Sequence, residues 1–141
     1  DRDKVDEFKL RFESIVSESI QPEQLIPQID IDLEIELEEI NSELLRKINF
    51  MAPFGPENMT PVFCTRNVKL HSPLRILKEK HLKLQVKKGK SGVFDCIGFN
   101  MSDFEELLMT NQSFDICYSI TINEFRGVKS LQLFLRDIKA E

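Results

Sequence analysis

The chain has 141 residues, 41% of them hydrophobic and eleven of them Phe, enough for one full domain with a packed core and too apolar for a disordered segment. No apolar run approaches eighteen residues and no basic-then-apolar start is present, so neither a membrane helix nor a signal peptide is expected. The net charge of −5 divides unevenly, with fourteen acids and six bases in residues 1–50 against ten acids and thirteen bases in residues 51–141.

Asp rather than Met stands first, which suggests a piece of a longer protein. Residues 3–20 place Val5, Phe8, Phe12, Ile15 and Val16 at steps of three and four, the apolar stripe of a charged helix. After Pro22 and Pro27, Ile29, Ile31 and Leu33 alternate with polar residues and predict a short strand. The period then lengthens through Leu33, Leu37, Ile40, Leu44 and Ile48, which predicts a second amphipathic helix running to about Phe50 and stopped by Pro53. Glu36, Glu38, Glu39 and Glu43 near its start and Arg46 and Lys47 near its end suit the helix dipole.

The connector FMAPFGPENMTPVF (50–63) holds three of the six prolines and three phenylalanines. A flexible tether is rich in Gly and Ser and poor in aromatics, so this stretch reads as a stiff, buried hinge.

Beyond it the pattern is mostly strand. VFCTRNVKL (62–70) precedes a polar, proline-containing turn, then HLKLQVKK (81–88) sets Leu82, Leu84 and Val86 against His81, Lys83, Gln85 and Lys87. KGKSG turns the chain into VFDCIGFN (93–100). SDFEELLMTN predicts one short helix, with Ser102 and Glu105 spaced as a capping box and Asn111 at its C-terminal end. FDICYSITINEF (114–125) and KSLQLFLRDI (129–138) alternate on either side of Gly127. Three strands, a helix and two strands is the order of a five-stranded OB-fold barrel, here preceded by two helices. An open five-stranded sheet covered by the helix is the alternative.

Catalytic signatures are missing. No nucleophile elbow, phosphate loop, dinucleotide fingerprint or supported Cys–His pair is found. Cys64, Cys96 and Cys117 are scattered through strand patterns and read as reduced residues of a cytoplasmic protein. His71 and His81 have no metal-type spacing to any Cys, and the alternating acids of IDIDLEIELEE read as solvated surface, so no metal is assigned.

The basic residues are more informative. Between 66 and 90 lie Arg66, Lys69, Arg75, Lys78, Lys80, Lys83, Lys87, Lys88 and Lys90, against the single acid Glu79. Lysine on a strand edge also blocks aggregation, but nine bases against one acid exceed that need and point to a nucleic-acid backbone groove. Single-strand binders add aromatic platforms. Phe134 falls on the polar side of its strand between Gln132 and Arg136, while Phe99 and Phe125 lie near strand ends. Arg126, in the Gly127 turn, Lys129 beyond it and Arg136 further along the last strand extend the set of candidate nucleic-acid contacts.

APFGPEN followed by PVF, HLKL, FDCIGFN and FDICYSITINEFRGVKSLQLFLRDI resembles the C-terminal region of the RecJ family, single-strand-specific exonucleases of the DHH phosphoesterase superfamily. The resemblance covers most of residues 29–138. It implies the last helix of a DHH-associated domain and a linker over 1–28, a bridging segment and junction over 29–61, and an OB-fold domain over 62–141. It also implies that Pro53, Phe54, Gly55 and Asn58 lock the barrel against a catalytic core. The family's Asp/His motifs and Gly-Gly-His motif would lie upstream of Asp1, with the Mn or Mg they use, leaving this fragment no cofactor of its own. The implied partners are single-stranded DNA, the DHH and DHH-associated domains, and a single-strand-binding protein. A second reading keeps the fold but makes it a protein-interaction OB domain that docks the acidic tail of such a partner.

Overall fold

Leu82, Leu84 and Val86 are buried along one face of a strand whose other face carries Lys83 and Lys87 in solvent, and the same two-residue period recurs in each neighbouring strand. The computed structural model describes residues 2–140. Its strands are β1 (Leu33–Glu34), β2 (Phe63–Leu77), β3 (His81–Lys87), β4 (Phe94–Gly98), β5 (Phe114–Phe125) and β6 (Val128–Ala140). Their order in the sheet is β1-β2-β3-β4-β6-β5, and β5 returns to pair with β2. The sheet is thereby closed into a barrel of five long strands, with β4 and β6 parallel and the two-residue β1 added outside β2. This is the OB-fold topology that the strand order predicts.

The core is filled by the inward side chains of β3, β5 and β6, including Leu84, Phe114, Ile116, Tyr118, Leu133 and Leu135. A single 3-10 turn (Ser102–Phe104), preceded by the buried Met101, leads into the short helix α3 (Glu105–Thr110), which adds Leu108 to the core.

β2 is longer than its pattern suggests. It runs through Pro73 to Leu77, and the turn lies at Lys78–Lys80 instead of at the proline. Two irregularities make this possible. The ladder of β2 with β5 skips between Thr65 and Val68, where Asn67 takes φ 57 and its N–H donates to Asp115 Oδ1 at 3.0 Å. This bulge bends β2 from its β5 partner toward β3. Pro73, which has no N–H to give, falls in a second register shift between Ser72 and Arg75.

The helices also differ from expectation. α1 (Arg2–Ser19) forms as its stripe predicts, but Phe8, Phe12 and Ile15 on that stripe are exposed. The second predicted helix divides: a 3-10 turn at Leu37–Glu39 closes on a Glu36–Glu39 capping box, Ile40 is extended, and α2 (Ser42–Phe50) starts afresh. Asn41 causes the restart, since its side chain accepts from the N–H groups of Glu43 and Leu44 at 2.9 and 3.0 Å. The capping box expected at Ser102 and Glu105 is not formed; Met101 occupies the cap position without a side-chain bond. Asn111 does close α3, its amide donating to the Leu107 carbonyl at 2.7 Å.

The connector is exposed over most of its length and buried only where it enters β2. Phe50 is 91% exposed, Phe54 packs half-buried against the core, and Pro61 and Phe63 are buried. Asn58 holds the loop together: its Nδ2 donates to the carbonyls of Met51 and Pro53 at 3.0 and 2.9 Å, and its backbone exchanges two hydrogen bonds with Gly55.

Candidate nucleic-acid interface

The β2–β3 hairpin sets like charges directly opposite one another. Lys69 faces Lys87, Arg75 faces Lys83, and Ser72 faces Gln85 between them. All four cations are exposed, and among the described residues none makes an ion pair. Such cross-strand pairs are destabilising, on the scale of about 0.2–1 kcal/mol each. The two are spaced by the four residues from Lys83 to Lys87, roughly 13 Å along the strand. Ser72 Oγ donates to Gln85 Oε1 at 2.9 Å and Gln85 Nε2 donates to Asp95 Oδ1 at 3.0 Å, which fixes the amide between the cations. Pro73, Arg75, Lys83 and Asp95 line a groove of about 380 Å³ along this face.

Lys83 also lines a second, larger groove of about 650 Å³ between two hairpin tips. One tip is the Lys78–Lys80 turn, where Lys78 and Glu79 both take positive φ. The other is Arg126-Gly127, with φ 51 and 78, the left-handed pair that a two-residue type I′ hairpin between Phe125 and Val128 requires. Leu77, Phe125 and Val128 form an apolar wall, and Lys83 and Arg126 supply positive charge. The Arg126 guanidinium lies 5.2 Å from the Phe125 ring centroid, and Phe125 remains 65% exposed. In OB barrels the loops joining the first two and last two barrel strands flank the oligonucleotide face, and these two tips are those loops here.

A third cluster lies on the outer face of β4 and β6. His81 meets Phe99 at 4.8 Å between ring centroids, Phe99 stacks on Phe134 at 5.5 Å, and the Arg136 guanidinium sits 4.7 Å from the Phe134 centroid. The Asn100 N–H donates to His81 Nδ1 at 3.1 Å and holds that ring in place. Phe134 does face outward, as its alternation predicts, but it is half-buried and engaged by Phe99 and Arg136 together. Phe99 and Phe125 offer more open ring surface. His81 joins the aromatic row through the hairpin register, for which the sequence carries no local signal.

Other predicted cations lie apart from this face or are already matched. Arg66 sits where β2 pairs with β5, its Nε donating to Glu34 at 2.8 Å and its Nη1 to Asp115 at 3.1 Å. Lys88 contacts Glu36 at 2.5 Å and Lys129 lies 3.7 Å from Glu124. Glu34 and Glu36 therefore do more than solvate the bridging segment; they tie it to the barrel. Lys90 is exposed in the turn after β3. Cys64 and Cys117 face each other in register, and burial pushes both thiols up, Cys117 to about 12. Among the described residues no three His, Cys, Asp or Glu side chains converge as a metal site needs.

Residues 31–137 match the family model of the RecJ OB domain. The chain belongs to that family. It is 28% identical over 134 residues to the single-stranded-DNA-specific exonuclease RecJ of Bacillus subtilis, covering 94% of this chain and 17% of that protein. It is 29% identical over 136 residues to the Salmonella typhimurium exonuclease of the same name, covering 96% of this chain and 23% of that protein. The chain thus spans about a fifth of the length of these relatives. The crystal structure of Thermus thermophilus RecJ in complex with Mn2+ superposes at a TM-score of 0.73 with 16% identity, over all of this chain and 20% of that one. At that identity the likeness establishes the fold. Within this RecJ-type OB domain, the family model begins in the bridging segment, ahead of β1, in keeping with the ties of Glu34 and Glu36 to the barrel.

Proposed function

We propose that this chain is the single-stranded-DNA-binding and positioning module of a RecJ-like 5′-to-3′ exonuclease acting in DNA repair and recombination in the cytoplasm. The observation that carries the reading is the pair of like-charged cross-strand couples, Lys69 with Lys87 and Arg75 with Lys83. A fold that keeps cations opposite one another, without acids to match them, is stabilised by a polyanion lying between them. The aromatic rings of Phe99 and Phe125 beside this track suit a strand whose bases are free to stack. Arg66, Lys88 and Lys129, matched by acids, contribute to the shape of the barrel more than to the track.

Hydrolysis, on this reading, belongs to DHH and DHH-associated domains of a longer chain, which would hold Mn or Mg; Pro53, Phe54, Gly55 and Asn58 would set the barrel's angle to them. The Thermus relative was solved with each of those metals.

Fluorescence anisotropy with labelled oligo-dT at several salt concentrations tests the binding. Each phosphate neutralised on a single strand contributes about −0.7 to the slope of log affinity against log salt. Lys83→Glu with Lys87→Glu should weaken binding and flatten the slope. Retained affinity and slope in a folded double variant would overturn the reading and favour a protein-interaction role, with an acidic tail such as that of a single-strand-binding protein as the partner.

A further inference from the structure

We infer that Cys64 and Cys117 form a cross-strand dithiol that oxidises reversibly to a disulfide and so clamps the seam at which the barrel closes. The two residues lie directly opposite one another on the antiparallel strands β2 and β5. Their neighbours Phe63, Thr65, Ile116 and Tyr118 are buried in the core, so the period of two turns both thiols to the outer face. The Cys64 carbonyl accepts from the Ile35 N–H of the bridging chain at 2.9 Å, as the Val62 carbonyl accepts from Asp32. The backbone groups of Cys64 therefore point away from β5. Its couple with Cys117 is of the non-hydrogen-bonded kind, with Cα atoms roughly 4.5 Å apart and side chains at their closest. A disulfide accepts Cα separations of about 4.4–6.8 Å, so the bond needs little backbone movement. The thiols are near enough for each to perturb the other's ionisation.

Access to the pair is unequal. Cys64 is buried and Cys117 half-buried, and both line a groove of about 480 Å³ with Ile29, Ile31 and Arg136. A small-molecule disulfide such as oxidised glutathione meets Cys117 first. The Cys117 thiolate attacks one sulfur of that disulfide, and the other sulfur leaves as a free thiol carrying the Cys117 proton. Cys64 then attacks Cys117 Sγ, which forms the protein disulfide and releases the second small thiol with the Cys64 proton. Two protein thiols are oxidised and one external disulfide is reduced. Burial pushes both thiols up, so thiolate is scarce near neutral pH and the pair rides out brief exposure unchanged. In a reducing compartment the dithiol is the resting form. Cys96 takes no part, since it is buried on β4 with its thiol donating to the Phe94 carbonyl at 3.7 Å.

The test is to incubate the folded 141-residue chain with oxidised glutathione, alkylate the remaining thiols in denaturant and map the peptides by mass spectrometry. The expected product links Cys64 to Cys117 and leaves Cys96 alkylated. In an unfolded chain that pairing closes the widest of the three possible loops and is the least favoured, so its dominance would come from the barrel. The oxidised chain should unfold at higher urea, its unfolding constant lowered roughly thirty- to a thousandfold, and dithiothreitol should restore the parent midpoint. Cys64→Ser should leave Cys117 carrying one glutathione. Separate glutathione adducts on Cys64 and Cys117 of the parent chain, or a linkage to Cys96, would overturn the clamp. So would both thiols remaining open to alkylation once the oxidant has reached equilibrium.

Discussion

Thr65 Oγ1 lies 2.7 Å from Tyr118 Oη, and both residues are fully buried. The Thr65 hydroxyl donates to the Ile35 carbonyl at 2.8 Å, so its one hydrogen is used and the Tyr118 hydroxyl must be the donor between them. The relay joins three segments, bridging chain, β2 and β5, at the place where the barrel closes. Thr65→Val should therefore cost about 2–4 kcal/mol, because it leaves the Tyr118 hydroxyl without an acceptor and the Ile35 carbonyl without this donor. Tyr118→Phe, which strands no donor, should cost only about 1 kcal/mol. Urea denaturation measures both, and equal losses would show that the direction of the relay is wrong.

Lys87→Glu should stabilise the fold and weaken its function at once. It turns the repulsion across Lys69 into attraction, worth up to about 1 kcal/mol in low salt and less as salt screens it. Affinity for oligo-dT should fall in the same variant. A variant that loses both stability and affinity would mean that Lys69 and Lys87 are held apart by something other than their charges.

The connector depends on Asn58 more than on Gly55. Asn58→Ala removes two donors to the carbonyls of Met51 and Pro53 and should lower stability by about 1–2 kcal/mol. A Cβ on Gly55 meets nothing within 4 Å, and its φ is outside the left-handed region, so Gly55→Ala should stay within about 0.5 kcal/mol of the parent. Thermal unfolding of the two variants gives the order, and a larger loss at Gly55 would contradict it.

Alkali should unfold the protein early. Burial pushes the Cys117 thiol from its ordinary 9.0 to about 12, and also raises the thiols of Cys64 and Cys96 and the phenol of Tyr118. Each group is neutral when protonated, so above pH 9 the unfolded chain gives up protons that the folded chain keeps. Below that pH these groups add no dependence; above it their stabilisation is lost progressively toward pH 12. Urea midpoints at pH 8, 9.5 and 10.5 should fall in that order, and Cys117→Ala should lessen the fall. A level profile would show that the thiols are open to water.

The barrel was legible because a strand sorts its side chains with period two, and burial follows that sorting whatever the partners are. Leu82, Leu84 and Val86 needed no neighbour to declare their face, and the strand–helix–strand order then left few ways to close the sheet. Helix and turn limits were less legible where a local hydrogen bond outweighed the periodic pattern. Asn41 restarts a helix that Leu37, Ile40 and Leu44 alone would have continued, and Pro73 lies within β2 because a register shift spares it a ladder bond. The set of basic residues was visible in the sequence, but their division into free and matched cations was not. That division depends on contacts such as Arg66 with Glu34 and Lys88 with Glu36, between residues far apart in the chain, and on a register shifted by the Asn67 bulge. Period and charge are properties of a segment; which charge faces which is a property of the closed barrel.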